Sequence, residues 1–134
     1  MIRISKMTDY ALVILSFLSK ETHQFVQASD IALNTQVNKP TAAKVLKVLA
    51  KNGMLTSYRG ANGGYKLTKT PQEISVAEVI QILEGPMAIM ECTLGKDHCA
   101  IYDNCAMNAS WHKINHVIIQ ALETVKLSDL RRSQ

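Results

Sequence analysis

Between Asn38 and Thr68 an amphipathic segment with its own start and stop signals runs directly into a glycine-rich turn flanked by two short β-prone runs. Few folds accept that order. Asn38 is placed to cap a helix, Pro40 falls in the first turn where a missing N–H costs nothing, and Asn52-Gly53 ends the segment after Lys51. At about 100° per residue, Ala42, Val45, Leu46 and Leu49 share one arc, while Lys44, Lys47 and Lys51 take the opposite face with Thr41 at its edge. Met54 to Tyr58 and Tyr65 to Thr68 are then separated by Arg59-Gly60-Ala61-Asn62-Gly63-Gly64, whose residues tolerate positive φ, so a β-hairpin is expected.

Upstream, Thr8 is expected to cap a first helix in which Ala11, Ile14, Leu15 and Leu18 recur at helical spacing, with Asp9 in the first turn against the positive end of the helix dipole. That helix should end near Lys20. A short second helix fits Ala28 to Asn34, with Thr35 to Asn38 as the turn into the third. Two helices joined by a short turn, the second one basic and followed by a hairpin, read as a winged helix-turn-helix. Downstream, Ser75-Val76-Ala77-Glu78 has the form of a capping box for a helix running through Val79, Ile82 and Leu83 to Gly85-Pro86. Met87 to Met107 has no sustained period. From about Asn108 to Val125 a helical stripe returns at Trp111, Ile114, Ile118, Ala121, Leu122 and Val125. The expected fold is mainly α with a small β-hairpin: a winged helix-turn-helix over residues 1–71, then a cysteine-bearing segment and a long C-terminal helix over residues 72–134.

A chain of 134 residues with 47 % apolar content can bury a core, which makes disorder and a membrane span poor explanations. The run from Tyr10 to Leu18 behind Arg3 and Lys6 imitates a secretory signal. Asp9 opens the run, however, and Lys20 and Glu21 follow it before any cleavage point, so a reducing cytoplasm is the expected compartment. The formal charge of +4 is uneven. Residues 1–70 carry ten Lys and Arg against three acids, while residues 71–134 carry five against eight. A basic half meeting a polyanion is the natural reading.

The lysine stripe of the third helix supplies cations for phosphates and, near its start, short polar groups for base edges. Lys39, Thr41, Lys44, Lys47 and Lys51 are the candidate contacts there. Arg59 stands at the hairpin tip, suited to the minor groove, with Tyr58 and Asn62 beside it. The expected partner is double-stranded DNA carrying two half-sites, because one module makes too few contacts alone, and this calls for a homodimer. Trp111, Ile114, Ile118, Leu122 and Val125 are the candidate interface. No nucleophile, base and orienting acid occur together and no phosphate-cradling glycine loop follows a strand, so neither an enzyme nor a small-molecule substrate is expected.

Cys92, Cys99 and Cys105 are spaced C-x6-C-x5-C. Zinc ribbons place cysteine pairs two to four residues apart, whereas longer and nearly even gaps let a loop wrap a larger object such as an iron–sulfur cluster. Zinc with histidine help and unliganded thiols remain alternatives. Three thiolates leave a fourth position for His98, His112 or Asp9, the last from a partner subunit, and His112 with His116 forms a second pairing on one helix face.

The opening Ile2-Arg3-Ile4-Ser5-Lys6-Met7-Thr8-Asp9-Tyr10-Ala11, the wing Arg59-Gly60-Ala61-Asn62-Gly63-Gly64-Tyr65, the segment Glu73 to Ile80, Glu84-Gly85-Pro86 and the three cysteines together resemble the Rrf-type (Rrf-two) family of winged-helix transcription regulators. The resemblance covers nearly the whole chain, and the stretch from Glu84 to Cys92 is most similar to the branch that regulates the SUF iron–sulfur assembly operon. It implies a homodimeric regulator, of the repressor kind, in which an iron–sulfur cluster is held by Cys92, Cys99 and Cys105. The family's IscR branch adds a histidine three residues after the last cysteine, where this chain has Asn108. Its NsrR branch uses an aspartate near the N-terminus of the other subunit, and Asp9 fits that position. The first cysteine gap is one residue longer than in many members. The resemblance therefore implies 4Fe–4S in preference to 2Fe–2S, with Asp9 as fourth ligand, and leaves a nitric-oxide or redox sensor of the same family as the alternative.

Overall fold

The computed structural model describes residues 3–21 and 24–130, so Ile2 of the opening motif lies outside it. Helix α1 spans Lys6–Leu18, α2 Ala28–Thr35 and α3 Lys39–Lys51. Strands β1, Leu55–Tyr58, and β2, Gly64–Leu67, pair antiparallel with Leu55 opposite Leu67 and Tyr58 opposite Gly64. Helix α4, Val76–Glu84, follows, and a chain of 3₁₀ turns leads to α5, Asn108–Thr124. The mainly α fold with one hairpin agrees with the sequence.

Start signals explain most boundaries, with two corrections. Asn38 caps α3 as expected, its Oδ1 accepting from the Thr41 N–H at 2.9 Å. The cap of α1 is Ser5 rather than Thr8. Thr8 donates its backbone N–H to Ser5 Oγ and sits buried in the first turn. Both residues are good caps three positions apart, and what decides between them is a tertiary partner, Glu84, that binds both. The box at Ser75 is half formed: Ser75 Oγ accepts from the Glu78 N–H, but the Glu78 carboxylate turns to Lys69 Nζ at 2.6 Å. A complete capping box forms instead one turn earlier, between Thr70 and Glu73.

The apolar run that imitates a secretory signal is the central core helix. Ala11, Ile14 and Leu15 of α1 are fully buried against Ile31 of α2 and Val45, Leu46 and Leu49 of α3. The same core takes in Ile74 and Val79, and also Leu127, which follows α5. Packing therefore continues across residue 71 without interruption. Backbone bonds from Val76 N–H to Val125 O and from Leu127 N–H to Ile74 O fasten the end of α5 beside the start of α4. No helix among the described residues is long and apolar enough to cross a membrane.

Candidate nucleic-acid interface and cysteine segment

The inner arc of α3 is buried as the sequence pattern requires, and this leaves Lys44, Lys47 and Lys51 exposed on the opposite side. Lys39 is exposed at the helix start and Thr41 is half-buried. Among the described residues the ion pairs are Lys69 with Glu78 and Lys96 with Asp103, and neither involves an α3 lysine. Tyr58, Arg59 and Asn62 are exposed on the hairpin that follows. The structure thus places all eight sequence-predicted DNA contacts on α3 or the wing, seven of them open to solvent.

The hairpin is fixed to the body by a segment to which the sequence reading gave no role. Val26 and Tyr65 exchange backbone hydrogen bonds of 2.9 and 2.8 Å, and Gln27 Nε2 donates to the Ala61 carbonyl at 2.8 Å. Gly64 makes this approach possible. At φ +136° it occupies a region L side chains avoid, and a Cβ there would collide with the Val26 carbonyl.

The cysteine segment lies at the far end of α4. Cys92 is buried in a 3₁₀ turn, while Cys99 and Cys105 are half-buried, each at the end of another such turn. The turns are closed by short-range backbone bonds, such as Gly95 N–H to Cys92 O and Tyr102 N–H to Cys99 O. An exposed pair, Lys96 with Asp103 at 3.2 Å, links two of them. Asn115 of α5 is the main clamp, accepting from the Ile89 N–H and donating to the Met87 carbonyl. Its only sequence signal is an amide on the helix face shared by Trp111, Ile118 and Leu122.

Among the described residues, no three His, Cys, Asp or Glu side chains lie close enough together to hold a metal ion. Cys92, Cys99, Cys105 and Asp9 are therefore not gathered into one group here. Asp9 is exposed on the first turn of α1, His98 and His116 are exposed, and His112 is engaged by Tyr102 at 3.4 Å. The donor chemistry still fits a thiolate-held group. All three cysteines are free and lie within 3₁₀ turns or at their ends, outside any long helix or strand. Asn108 Nδ2, three residues past Cys105, is a buried donor with no acceptor among the described residues and is free to donate to a sulfur acceptor there.

Beside this segment, Glu84 ties α4 to α1. Its carboxylate accepts from Thr8 Oγ1 and from the Ser5 N–H, the latter at 3.0 Å. The Thr8 hydroxyl holds the carboxyl below its ordinary range, burial opposes it less strongly, and Ser5 adds a further, smaller lowering. Trp111, Ile118 and Leu122 line an apolar groove of about 670 Å³ whose other wall is Ile80 and residues 84–90. Ile114 is exposed and Val125 half-buried, and no residue of α5 is buried within this chain.

Comparison with known proteins agrees with this arrangement. The profile of the Rrf2 family, described as an iron-dependent transcriptional regulator, matches residues 4–133. The chain is 32 % identical to the HTH-type transcriptional regulator NsrR of Bacillus licheniformis, over 98 % of this chain and 94 % of that protein. It superposes on CymR, the global cysteine regulator of B. subtilis, with a TM-score of 0.79 at 26 % identity, covering 97 % of this chain and 96 % of the other. With T. potens IscR the TM-score is 0.74 at 25 % identity, covering 99 % and 93 %. The chain belongs to the Rrf2 family: it is a winged-helix transcriptional regulator and not an enzyme.

Proposed function

We propose that this regulator binds an iron–sulfur cluster through Cys92, Cys99 and Cys105 and represses iron–sulfur assembly genes of the SUF type, cluster state setting its affinity for the operator. The observation that carries the reading is the placement of three free thiols on one turn-rich segment that begins where α4 leaves the reader's core. When bound, the cluster supplies a thiolate-held iron centre open to oxidants and nitric oxide. Asp9 of the partner subunit is the proposed fourth ligand, and 4Fe–4S the preferred form over 2Fe–2S. Residues 1–71 read DNA as a homodimer on two half-sites, with Lys39, Thr41, Lys44, Lys47 and Lys51 in the major groove and Tyr58, Arg59 and Asn62 on the wing. Residues 72–134 sense and dimerise, through Trp111, Ile114, Ile118, Leu122 and Val125, and the protein works in the cytoplasm.

The chain's own residues supply the route between the two activities. A change in the turns from Glu91 to Asn104 pulls on residues 87–89, which Asn115 holds, and on Glu84, which caps the helix bearing Asp9. A difference of about 1–3 kcal/mol between the two states shifts operator affinity from several-fold to about a hundredfold.

The test is an anaerobic absorption spectrum with iron and acid-labile sulfide analysis of fresh protein, beside a Cys92→Ala, Cys99→Ala, Cys105→Ala variant and Asp9→Ala. Visible charge-transfer bands with stoichiometric iron and sulfide, absent from the triple variant and short-lived in Asp9→Ala, are expected. Colourless protein after reconstitution, with stoichiometric zinc or no metal, overturns the cluster reading and leaves a zinc-stabilised or metal-free DNA binder. Cluster loss on exposure to nitric oxide, with SUF promoters unaffected, moves the protein to the nitric-oxide-sensing alternative.

A further inference from the structure

We propose that Phe25 to Gln27 form a brace that sets the reach of the wing into DNA, with Gln27 as its positioning residue. The inference rests on the reading of Arg59 and Asn62 as DNA contacts. The hairpin has four residue pairs, and a two-stranded hairpin of that size is marginal by itself in water. Within its tip, Gly63 N–H to Gly60 O is the backbone bond that closes the turn. Orientation of the tip therefore depends on contacts from outside the hairpin.

Those contacts come from three consecutive residues. The Phe25 ring lies against Tyr58 at 5.7 Å between centroids, at the end of β1, and the Lys66 ammonium stands 5.6 Å from the Phe25 ring. Val26 pairs with Tyr65 as a short antiparallel bridge beside β2. Among the described residues of this segment, Gln27 is the one whose side chain bonds to the tip, donating to the carbonyl of Ala61, which lies between Arg59 and Asn62 in the chain.

Gln27 is also the N-cap residue of α2, and there its side chain makes no capping bond. Ser, Thr, Asp or Asn would serve the helix better. A locally poor cap whose amide is spent on the wing marks a position chosen for something other than helix stability. Because α2 leads through a tight turn into α3, the brace fixes the wing relative to the recognition helix, so that both elements meet one duplex in register.

The experiment measures binding by fluorescence anisotropy to a duplex that the wild-type chain has selected from a random-sequence pool. Gln27→Ala, Gln27→Ser, Arg59→Ala and the Gln27→Ser, Arg59→Ala double variant are compared with wild type. Gln27→Ser offers α2 a better cap, so its thermal midpoint is expected at or above wild type while its affinity falls about two- to tenfold, the range for one hydrogen bond. Gln27→Ala is expected to lose a similar factor. In the Arg59→Ala background the Gln27→Ser loss should shrink, since a residue acting through the wing then has only Tyr58 and Asn62 left to position. Wild-type affinity in Gln27→Ser with weakened Arg59→Ala overturns the brace and spares the wing. An undiminished Gln27→Ser loss in the Arg59→Ala background makes Gln27 a direct DNA contact and overturns the brace as well. Wild-type affinity in Arg59→Ala overturns the wing reading itself, and this proposal with it.

Discussion

Glu84 shows how much one exposed side chain can organise. It ends α4, borders the cysteine segment, and satisfies donors at the start of α1 that the helix cannot satisfy internally. Its carboxyl is held below the ordinary range chiefly by the Thr8 hydroxyl. The stabilisation is therefore complete above the unfolded carboxyl value of about 4.3 and is lost as pH falls through the lower folded value. Glu84→Gln is expected to melt below wild type at neutral pH, with the gap closing under acid; parallel midpoint-against-pH curves would show that the carboxylate has no such role. Thr8 reads as the cap in the sequence because Ser5 and Thr8 are equivalent by local chemistry. The partner that distinguishes them lies more than seventy residues away.

At the scale of elements, legibility followed periodicity. Helix α3 was readable to its ends because Asn38, Pro40 and Asn52-Gly53 punctuate a strong apolar arc, and the hairpin because its turn residues admit few alternatives. The cysteine segment carries no period because it consists of separate 3₁₀ turns, and a shared role for its thiols rests on their spacing and on resemblance. The brace was invisible, since Phe25-Val26-Gln27 is too short to show alternation. The hairpin nonetheless depends on it. Gly64→Ala places a methyl on the Val26 carbonyl at a backbone angle that disfavours any side chain, and is expected to cost about 1–3 kcal/mol. Chemical denaturation would measure this, and a wild-type midpoint would show that the wing and brace can part freely.

For the whole molecule the open surface is α5. Seventeen residues of helix carry an apolar stripe, yet none is buried, and Ile114 and Val117 stand 39 % and 56 % exposed. The proposed homodimer would cover this helix with a second copy. Light scattering is expected to find a dimer for the wild type and a folded monomer for Ile114→Glu, Val117→Glu; an unchanged dimer would place the interface elsewhere. The sequence made α5 legible as a helix but not its return to the core, because the 3₁₀ turn Leu127–Leu130 is too short to show which of its leucines is buried.

That return carries a consequence for how the protein is built. The bonds joining Val76 to Val125 and Ile74 to Leu127 form a seam, so the chain leaves the reader and comes back at almost the same point. Between its two sides α4 is held to the core by Val79 and Glu84, and residues 87–107 lie beyond that hold. Lengthening a loop whose ends are already pinned costs only about 0.6 kcal/mol per doubling. Residues 87–107 can thus grow, shrink or acquire different side chains at small cost to the fold that carries α3 and the hairpin.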